Sequence, residues 1–241
     1  MRPPRFALVI PVYNHPDTVG RVLRGACALG LPVFVVNDGS TDRTGERIRE
    51  VAGVTVLSHP VNRGKGAALV TGFTAAAAAG ADYAVTLDAD GQHDPAHALL
   101  LMAAVRPGER TMVVGCRQGM NDPSIPWTSR FGRKFSNFWV RVTGGPRVSD
   151  SQSGFRLYPI PEVLQWQARA RRFAYEVEIL VLARRKGTPV LQVPVGVDYR
   201  PGGKRISHFR PFVDFWRNTG TFTRLLLTRP VHFLCRWLKA G

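Results

Sequence analysis

Tyr83-Ala84-Val85-Thr86-Leu87-Asp88-Ala89-Asp90-Gly91-Gln92-His93-Asp94-Pro95 runs from an apolar stretch directly into two carboxylates one residue apart. An apolar run of this length, closed by polar turn residues, reads as a strand buried on both faces. Asp94 before Pro95 reads as the cap and first position of a helix. The same unit recurs on both sides of this stretch. Phe6–Val12, Val33–Val36, Val54–Leu57 and Thr111–Gly115 are further short apolar runs. Helical candidates fall between them, at about Thr18–Leu29, Thr41–Val51, Lys65–Ala79 and Pro95–Val105. Strand and helix alternating at such lengths predict βαβ units, hence an α/β fold whose mostly parallel sheet is covered by helices.

In sheets of this kind ligands bind beyond the carboxyl ends of the strands. The segments at those ends are Tyr13-Asn14-His15, Asn37-Asp38-Gly39-Ser40, His59-Pro60-Val61-Asn62-Arg63-Gly64, Asp88-Ala89-Asp90 and Cys116-Arg117. Most are polar or charged, and the fold brings them to one rim, so the site is expected there. The second half of the chain is less regular. It offers a basic helical stretch at Thr128–Val142, a polar turn and strand at Ser149–Tyr158, a helix around Tyr175–Lys186 and a strand near Val190–Tyr199. No internal repeat or linker separates the halves.

Composition narrows the classes. In 241 residues, 44% are apolar, a globular value that argues against disorder. No stretch approaches the roughly 20 consecutive apolar residues of a bilayer span. The net charge of +16 is unevenly placed. Residues 1–120 carry 12 basic and 10 acidic side chains; residues 121–241 carry 21 and 7. The cationic second half calls for an anionic partner: nucleic acid, lipid headgroups or a phosphorylated substrate. Cys27, Cys116 and Cys235 are far apart and form no CxxC pair, which predicts a reduced, cytosolic setting. The apolar run Phe6–Ile10 is too short for a signal-peptide core and is expected to be a buried first strand.

Asp88 and Asp90 at a strand end repel each other unless a proton or a cation lies between them. Hard divalent ions such as Mg²⁺ or Mn²⁺ take oxygen ligands and keep positions open for substrate phosphates. An EF-hand counted from Asp88 would need an acid at position twelve, which is Leu99. The competing reading is a solvated acidic turn capping the next helix. Asp38 is a second strand-end acid, suited to accept hydrogen bonds from a base or a ribose, with Gly39 admitting a ligand near the backbone. Ser40, Thr41 or Asp42 can cap the helix that follows. Asn62-Arg63-Gly64-Lys65-Gly66 puts glycine and cations at a helix N-terminus, which suits a diphosphate but lacks the spacing of a Walker A loop. Glu176 and Glu178 stand at i and i+2 on the expected helix and project apart, so they make a poor catalytic dyad. One of them is expected to pair with Arg171, Arg172 or Arg184. His15, His59, His93 and His208 show no metal-ligand spacing and read as loop histidines.

Pro11-Val12-Tyr13-Asn14, Asn37-Asp38-Gly39-Ser40-Thr41-Asp42, Asn62-Arg63-Gly64-Lys65-Gly66 and Asp88-Ala89-Asp90 occur in the order seen in GT-A family 2 glycosyltransferases. Gly91-Gln92-His93-Asp94-Pro95, with Ser153-Gly154-Phe155-Arg156-Leu157-Tyr158, resembles the dolichol-phosphate mannosyltransferase branch, the polyprenyl-phosphate glycosyltransferases. The resemblance covers most of residues 6–210 and implies a Rossmann-like GT-A catalytic domain over 1–210; residues 211–241 read, from their own spacing, as basic amphipathic helices.

The resemblance further implies metal-dependent, inverting transfer from a GDP- or UDP-sugar to a polyprenyl phosphate. Pro11, Tyr13, Asn14, Asp38, Asn62, Lys65, Asp88, Ala89 and Asp90 would line the donor, with Asp38 beside the nucleoside. Asp88, Asp90 and Gln92 would hold Mg²⁺ or Mn²⁺. Arg117, Arg130, Arg133 and Ser136 would meet the acceptor phosphate, and Asp90, Arg117 and Arg130 would carry the catalytic role. Arg200, Lys204 and Arg205, in a Gly-rich loop, would close over the phosphates. One departure is Asn37, where many relatives have an acid. The Glu-Asp dipeptide and Q-x-x-R-W motif of polymerising members are absent, which favours a phosphate acceptor. An acceptor phosphate is already anionic, whereas a hydroxyl needs a base, and Asp150 or Glu176 is the candidate for it. The alternatives are transfer to a hydroxyl of a lipid or cell-envelope glycan and, with no zinc or RNA-binding motif to support it, nucleic-acid binding.

Beyond the catalytic stretch, Arg210, Arg217 and Arg224 recur every seven residues, while Phe212, Phe215, Trp216, Phe222 and Leu226 populate another face. A basic, aromatic, amphipathic tail predicts peripheral attachment to an anionic membrane surface on its cytoplasmic side.

Overall fold

The computed structural model describes residues 2–106, 108–119, 127–170, 172, 174–198 and 220–228. Seven strands form one sheet: β1 (Phe6–Val12), β2 (Val33–Asn37), β3 (Val54–Ser58), β4 (Tyr83–Thr86), β5 (Met112–Arg117), β6 (Arg156–Pro159) and β7 (Val190–Val195). Their order is β3-β2-β1-β4-β6-β5-β7. All neighbours run parallel except β6, which lies antiparallel between β4 and β5. The mostly parallel α/β sheet expected from the alternation is therefore present, with one reversed strand in it. The helices are α1 (Val19–Cys27), α2 (Thr44–Arg49), α3 (Lys65–Ala78), α4 (Ala98–Ala103), α5 (Trp127–Val142), α6 (Glu162–Gln165) and α7 (Ala174–Arg185), and a 3₁₀ turn at Pro95–His97 precedes α4.

Every residue of β1 after Phe6 is buried, because helices cover both faces of this central strand. Alternation along it feeds two cores. Ala7 and Val9 join Leu69 and Phe73 of α3 and Ile179 and Leu180 of α7. Leu8, Ile10 and Val12 join Val22 and Leu23 of α1 and Leu101 of α4. Each buried Leu, Ile or Phe contributes about 1.5–3 kcal/mol. The sheet order reverses direction at β1, with β2 on one side and β4 on the other. Such a switch point is where ligands bind in sheets of this kind, at the carboxyl rim.

The reading of 211–241 as a surface-attached tail falls mostly outside the described residues. The described part packs inward. Residues 220–227 are helical, Phe222 and Leu225 are buried in the core, and Phe222 stacks on Trp139 of α5 at 5.6 Å. Among the described residues no helix is long and apolar enough to cross a membrane.

Candidate active site

At the rim above β1, β2 and β3, short polar side chains tie the loops after these strands to one another. Asn14, in the left-handed region at φ 55°, donates its backbone N–H to Ser40 Oγ (3.1 Å). Its Nδ2 donates to Thr41 Oγ1 (3.3 Å) and its Oδ1 accepts from Thr41 N (2.9 Å). Asn37 Oδ1 accepts from Ser40 N at 3.0 Å, so the amide standing in place of an acid serves the turn itself. Pro11 lies in β1 paired with Val36 of β2, and Tyr13 follows the strand half-buried. Of the three expected caps, Asp42 bonds at the start of α2, where its Oδ1 accepts from Thr44 N (2.9 Å), while the residue at the cap position is Arg43.

Asp38 is 2% exposed and is the hub of this side. Its carboxylate accepts from Asn62 Nδ2 (3.0 Å), Arg63 N (2.9 Å) and Gly64 N (2.7 Å), and lies 2.6 Å from His59 Nδ1. The other ring nitrogen of His59 is 3.0 Å from Thr71 Oγ1 of α3. Gly39, at φ +69°, passes so close to Val61 and Asn62 that a Cβ there would strike their backbone. Asp38 thus draws the loop 59–64 against the end of β2 and delivers Lys65 to the rim.

Lys65 opens α3, and its Nζ lies 2.5 Å from Asp88 Oδ1 and 2.7 Å from Glu176 Oε1 of α7. Burial favours the neutral amine, but the two carboxylates overturn this and hold its pKa above the usual value. Burial likewise works against the Asp88 charge, and Lys65 outweighs it, holding that carboxyl below its ordinary range. Asp90 is the group left over. Burial, and then the Asp88 charge, push its carboxyl up. Asp90 Oδ1 accepts from Gln92 N (2.9 Å), and Gln92 O accepts from Asp198 N (2.9 Å), which fixes the loop against the end of β7. Buried Ala89 accepts from Thr18 Oγ1 of the α1 cap at 2.6 Å.

This donor set fits a hard divalent cation. Two carboxylates stand one residue apart, and the second is raised by the charge of the first. Among the described residues no three His, Cys, Asp or Glu side chains cluster as metal ligands. A cation here would therefore rest on Asp88 and Asp90, with Gln92 adjacent, and complete its shell from phosphate and water oxygens.

At the rim above β5 and β6 one loop, residues 149–154, organises the rest. Asp150, 0% exposed, grips Arg117 at the end of β5: Nε donates to Oδ2 (2.7 Å) and Nη2 to Oδ1 (3.0 Å). Ser151 Oγ donates to Ser136 Oγ of α5 (2.8 Å), and Asn137 accepts from Ser151 N (2.9 Å). Arg156 is fully buried and donates to the carbonyls of Ser153 (2.6 Å), Ser151 (2.7 Å) and Glu176 (2.6 Å). Gly154 closes the loop over the acid pair, where a Cβ would overlap Asp88 Oδ2 and Lys65 Nζ. The loop thereby joins Arg117 and Ser136 to Asp88 and Lys65. Arg133 also acts on Asp150, as a minor contributor to its lowered pKa, and Arg130 lies half-buried on the same helix. Arg200, Lys204 and Arg205 lie outside the described residues.

Several groups depart from the sequence reading. Glu176 pairs with Lys65, and Glu178 pairs with Arg224 (2.7 Å) while accepting from Arg169 N and Ala170 N, so the expected pairing with Arg172 or Arg184 is not found; Arg171 is outside the described residues. The rotation of α7 sends the two acids to opposite sides, one to the rim and one to the helix at 220–227. His59 and His93 stand on loops, as expected, but both are buried. His93 stacks on Phe155 at 5.0 Å, and burial lowers its pKa to about 4. His208 is outside the described residues. The structural roles of Arg156 and Gly154 were missed; their only sequence signal was membership of Ser153–Tyr158.

The family model for glycosyl transferase family 2 matches residues 7–163. The UDP-N-acetylglucosamine–dolichyl-phosphate N-acetylglucosaminyltransferase of Methanococcus voltae is 30% identical over 215 residues, covering 80% of this chain and 85% of its own. The undecaprenyl-phosphate mannosyltransferase of Micrococcus luteus is 30% identical over 204 residues, covering 79% and 82%. Glucosyl-3-phosphoglycerate synthase of Mycobacterium tuberculosis, solved with Mn²⁺, UDP and phosphoglyceric acid, aligns at a TM-score of 0.68 and 23% identity over 94% of this chain and 78% of that one, a likeness of fold.

Proposed function

The chain belongs to glycosyl transferase family 2, and from that premise we propose that it moves a sugar from a nucleotide-sugar donor to a polyprenyl phosphate, with inversion, at the cytoplasmic face of a membrane. The observation that carries this reading is the loop 149–154. It ties Arg117, through Asp150, and Ser136, through Ser151, to Gly154, which abuts Asp88 and Lys65, and this supports reading Arg117 and Ser136 as the phosphate side. The relatives named for dolichyl- and undecaprenyl-phosphate transfer support the acceptor class.

In this reading Asp88 and Asp90, with Gln92, hold Mg²⁺ or Mn²⁺, which when bound supplies positive charge for the departing nucleoside diphosphate. Pro11, Tyr13, Asn14, Asp38, Asn62 and Ala89 form the donor side, and Lys65 at the N-terminus of α3 binds the diphosphate. Arg117, Arg130, Arg133 and Ser136 hold the acceptor phosphate. Its oxygen is already anionic, so it attacks the anomeric carbon opposite the diphosphate without a strong base. Arg200, Lys204 and Arg205 would cover the phosphates. Placing catalysis in residues 1–210 follows from the same assignment.

Membrane contact is supported by the outer stripe of α5. Phe131 and Phe138 are each 59% exposed, and exposed Lys134 and Arg141 share their face. The helix contains no acid. Cations and aromatic rings on one stripe suit an anionic headgroup layer, and nucleic acid is not required to explain the charge.

The test is transfer from radiolabelled GDP- and UDP-sugars to undecaprenyl or dolichyl phosphate with Mg²⁺ or Mn²⁺. The expected product is a lipid whose sugar is released by mild acid. An acid-stable product overturns the phosphate acceptor in favour of a hydroxyl, and full activity of Asp90→Ala overturns the metal assignment.

A further inference from the structure

Asp150 is fully buried, and both of its oxygens accept from Arg117. Arg117 Nε and Nη2 are engaged as a bidentate pair, and its backbone N–H also points at Oδ2 (3.4 Å). The carboxylate is fixed in turn. Ser153 N donates to the Asp150 carbonyl (3.4 Å), Asn137 Nδ2 donates to Ser149 O (2.7 Å), and Gln192 Oε1 of β7 accepts from Ser149 N (2.7 Å). A fork held along its Nε–Nη2 edge is fixed in its orientation.

We propose that Asp150 is a positioning residue that aims Arg117 at the acceptor phosphate, acting through the guanidinium rather than as the general base; this rests on the phosphate-acceptor reading above. Two observations separate the roles. A base must present an oxygen to the substrate proton, and both oxygens are committed to Arg117. Burial raises the carboxyl, but the bonds from Arg117, and then its charge and that of Arg133, pull it below the ordinary range, the wrong direction for a base at neutral pH. Charge alone would make Asp150 harmful to phosphate binding, since it places a negative group behind the binding arginine. The orientation it imposes on the arginine explains its place at the buried end of the pair.

The experiment is a double-mutant cycle on the full chain: Asp150→Asn, Arg117→Met and the two together, with acceptor and donor concentrations varied separately. Asp150→Asn is expected to lower kcat about 100-fold, the loss typical of a misplaced reacting group. The acceptor KM should move less than about threefold, and the pH dependence of kcat should keep its shape. Adding Asp150→Asn to Arg117→Met should cost less than a further threefold, because the residue acts only through the arginine. The double variant carries neither charge of the buried pair, so its folding does not depend on an unpaired ion. Multiplicative losses, or disappearance of the acidic limb of the pH profile in Asp150→Asn, overturn the proposal in favour of a base. Wild-type protein that transfers nothing to polyprenyl phosphate overturns the functional reading and this inference together; active wild type with multiplicative losses overturns the inference alone.

Discussion

Replacing Lys65 with Met removes, among the described residues, the cation that touches both Asp88 and Glu176. The contacts are 2.5 and 2.7 Å, and the lysine side chain is 14% exposed. At an effective dielectric of about 20, each is worth on the order of 6 kcal/mol in gross attraction. Desolvating three charges offsets most of that, and removing one partner of a buried pair costs about 3–5 kcal/mol. Lys65→Met is therefore expected to lose about 3–5 kcal/mol at pH 8. The loss should depend on pH with a definite sign. Without the ammonium, burial and mutual repulsion leave Asp88 and Glu176 with pKa values above those of the unfolded chain; burial already raises Glu176 in the wild type. The folded variant then binds more protons than its unfolded form as the pH falls, so the deficit shrinks on acidification. Urea unfolding of both proteins between pH 8 and pH 5 measures this. A deficit below about 1 kcal/mol at pH 8, or one unchanged at pH 5, refutes the claim that Lys65 neutralises the two acids.

Two further outcomes follow from the same geometry. Gly154→Ala places a methyl group among the ends of Asp88 and Lys65, which can yield without moving backbone; sugar transfer should fall at least about tenfold while the melting temperature shifts by no more than about 4 °C, roughly what 1 kcal/mol produces in a chain of this size. His93 is buried, and burial lowers its pKa to about 4, whereas in the unfolded chain it titrates near 6.5. The unfolded state takes the proton first, so stability falls as the pH drops from about 6.5 towards 4, by about 3 kcal/mol. His93→Phe, which keeps the stack on Phe155, should lose that share of the acid sensitivity; an unchanged pH profile of urea midpoints would show that the imidazole is not held neutral.

The regular half of the fold was legible because its signals are local. Strand β1 was read to the residue, and α3 to within one, from apolar runs and turn residues a few positions apart. The antiparallel β6 was harder to place. Ser149–Tyr158 reads as a strand, but no local feature says that Arg156–Pro159 inserts between β4 and β5 in the reverse direction. That register is decided by which edges remain open once the other strands have paired. Helix α6, four residues long, carries too little periodicity to be seen.

The candidate site divides along the same line. Asp38, Lys65, Asp88, Asp90 and Arg117 were visible in the sequence because each follows an apolar run or opens a helix, and a parallel sheet sends every such position to one rim. What each side chain does there was decided by partners distant in the chain. His59 and the Asn62–Gly64 loop occupy Asp38, Glu176 shares Lys65, and Asp150, 33 residues from Arg117, orients it. Sequence alone determined that carboxylates and cations would meet at the rim, since strand direction and side-chain period are local properties of the backbone. Only the tertiary structure decided which charges neutralise one another and that Asp90, like Glu176, is pushed towards its protonated form, because pairing energies depend on separations of a few ångströms and on burial, neither of which is local to the sequence.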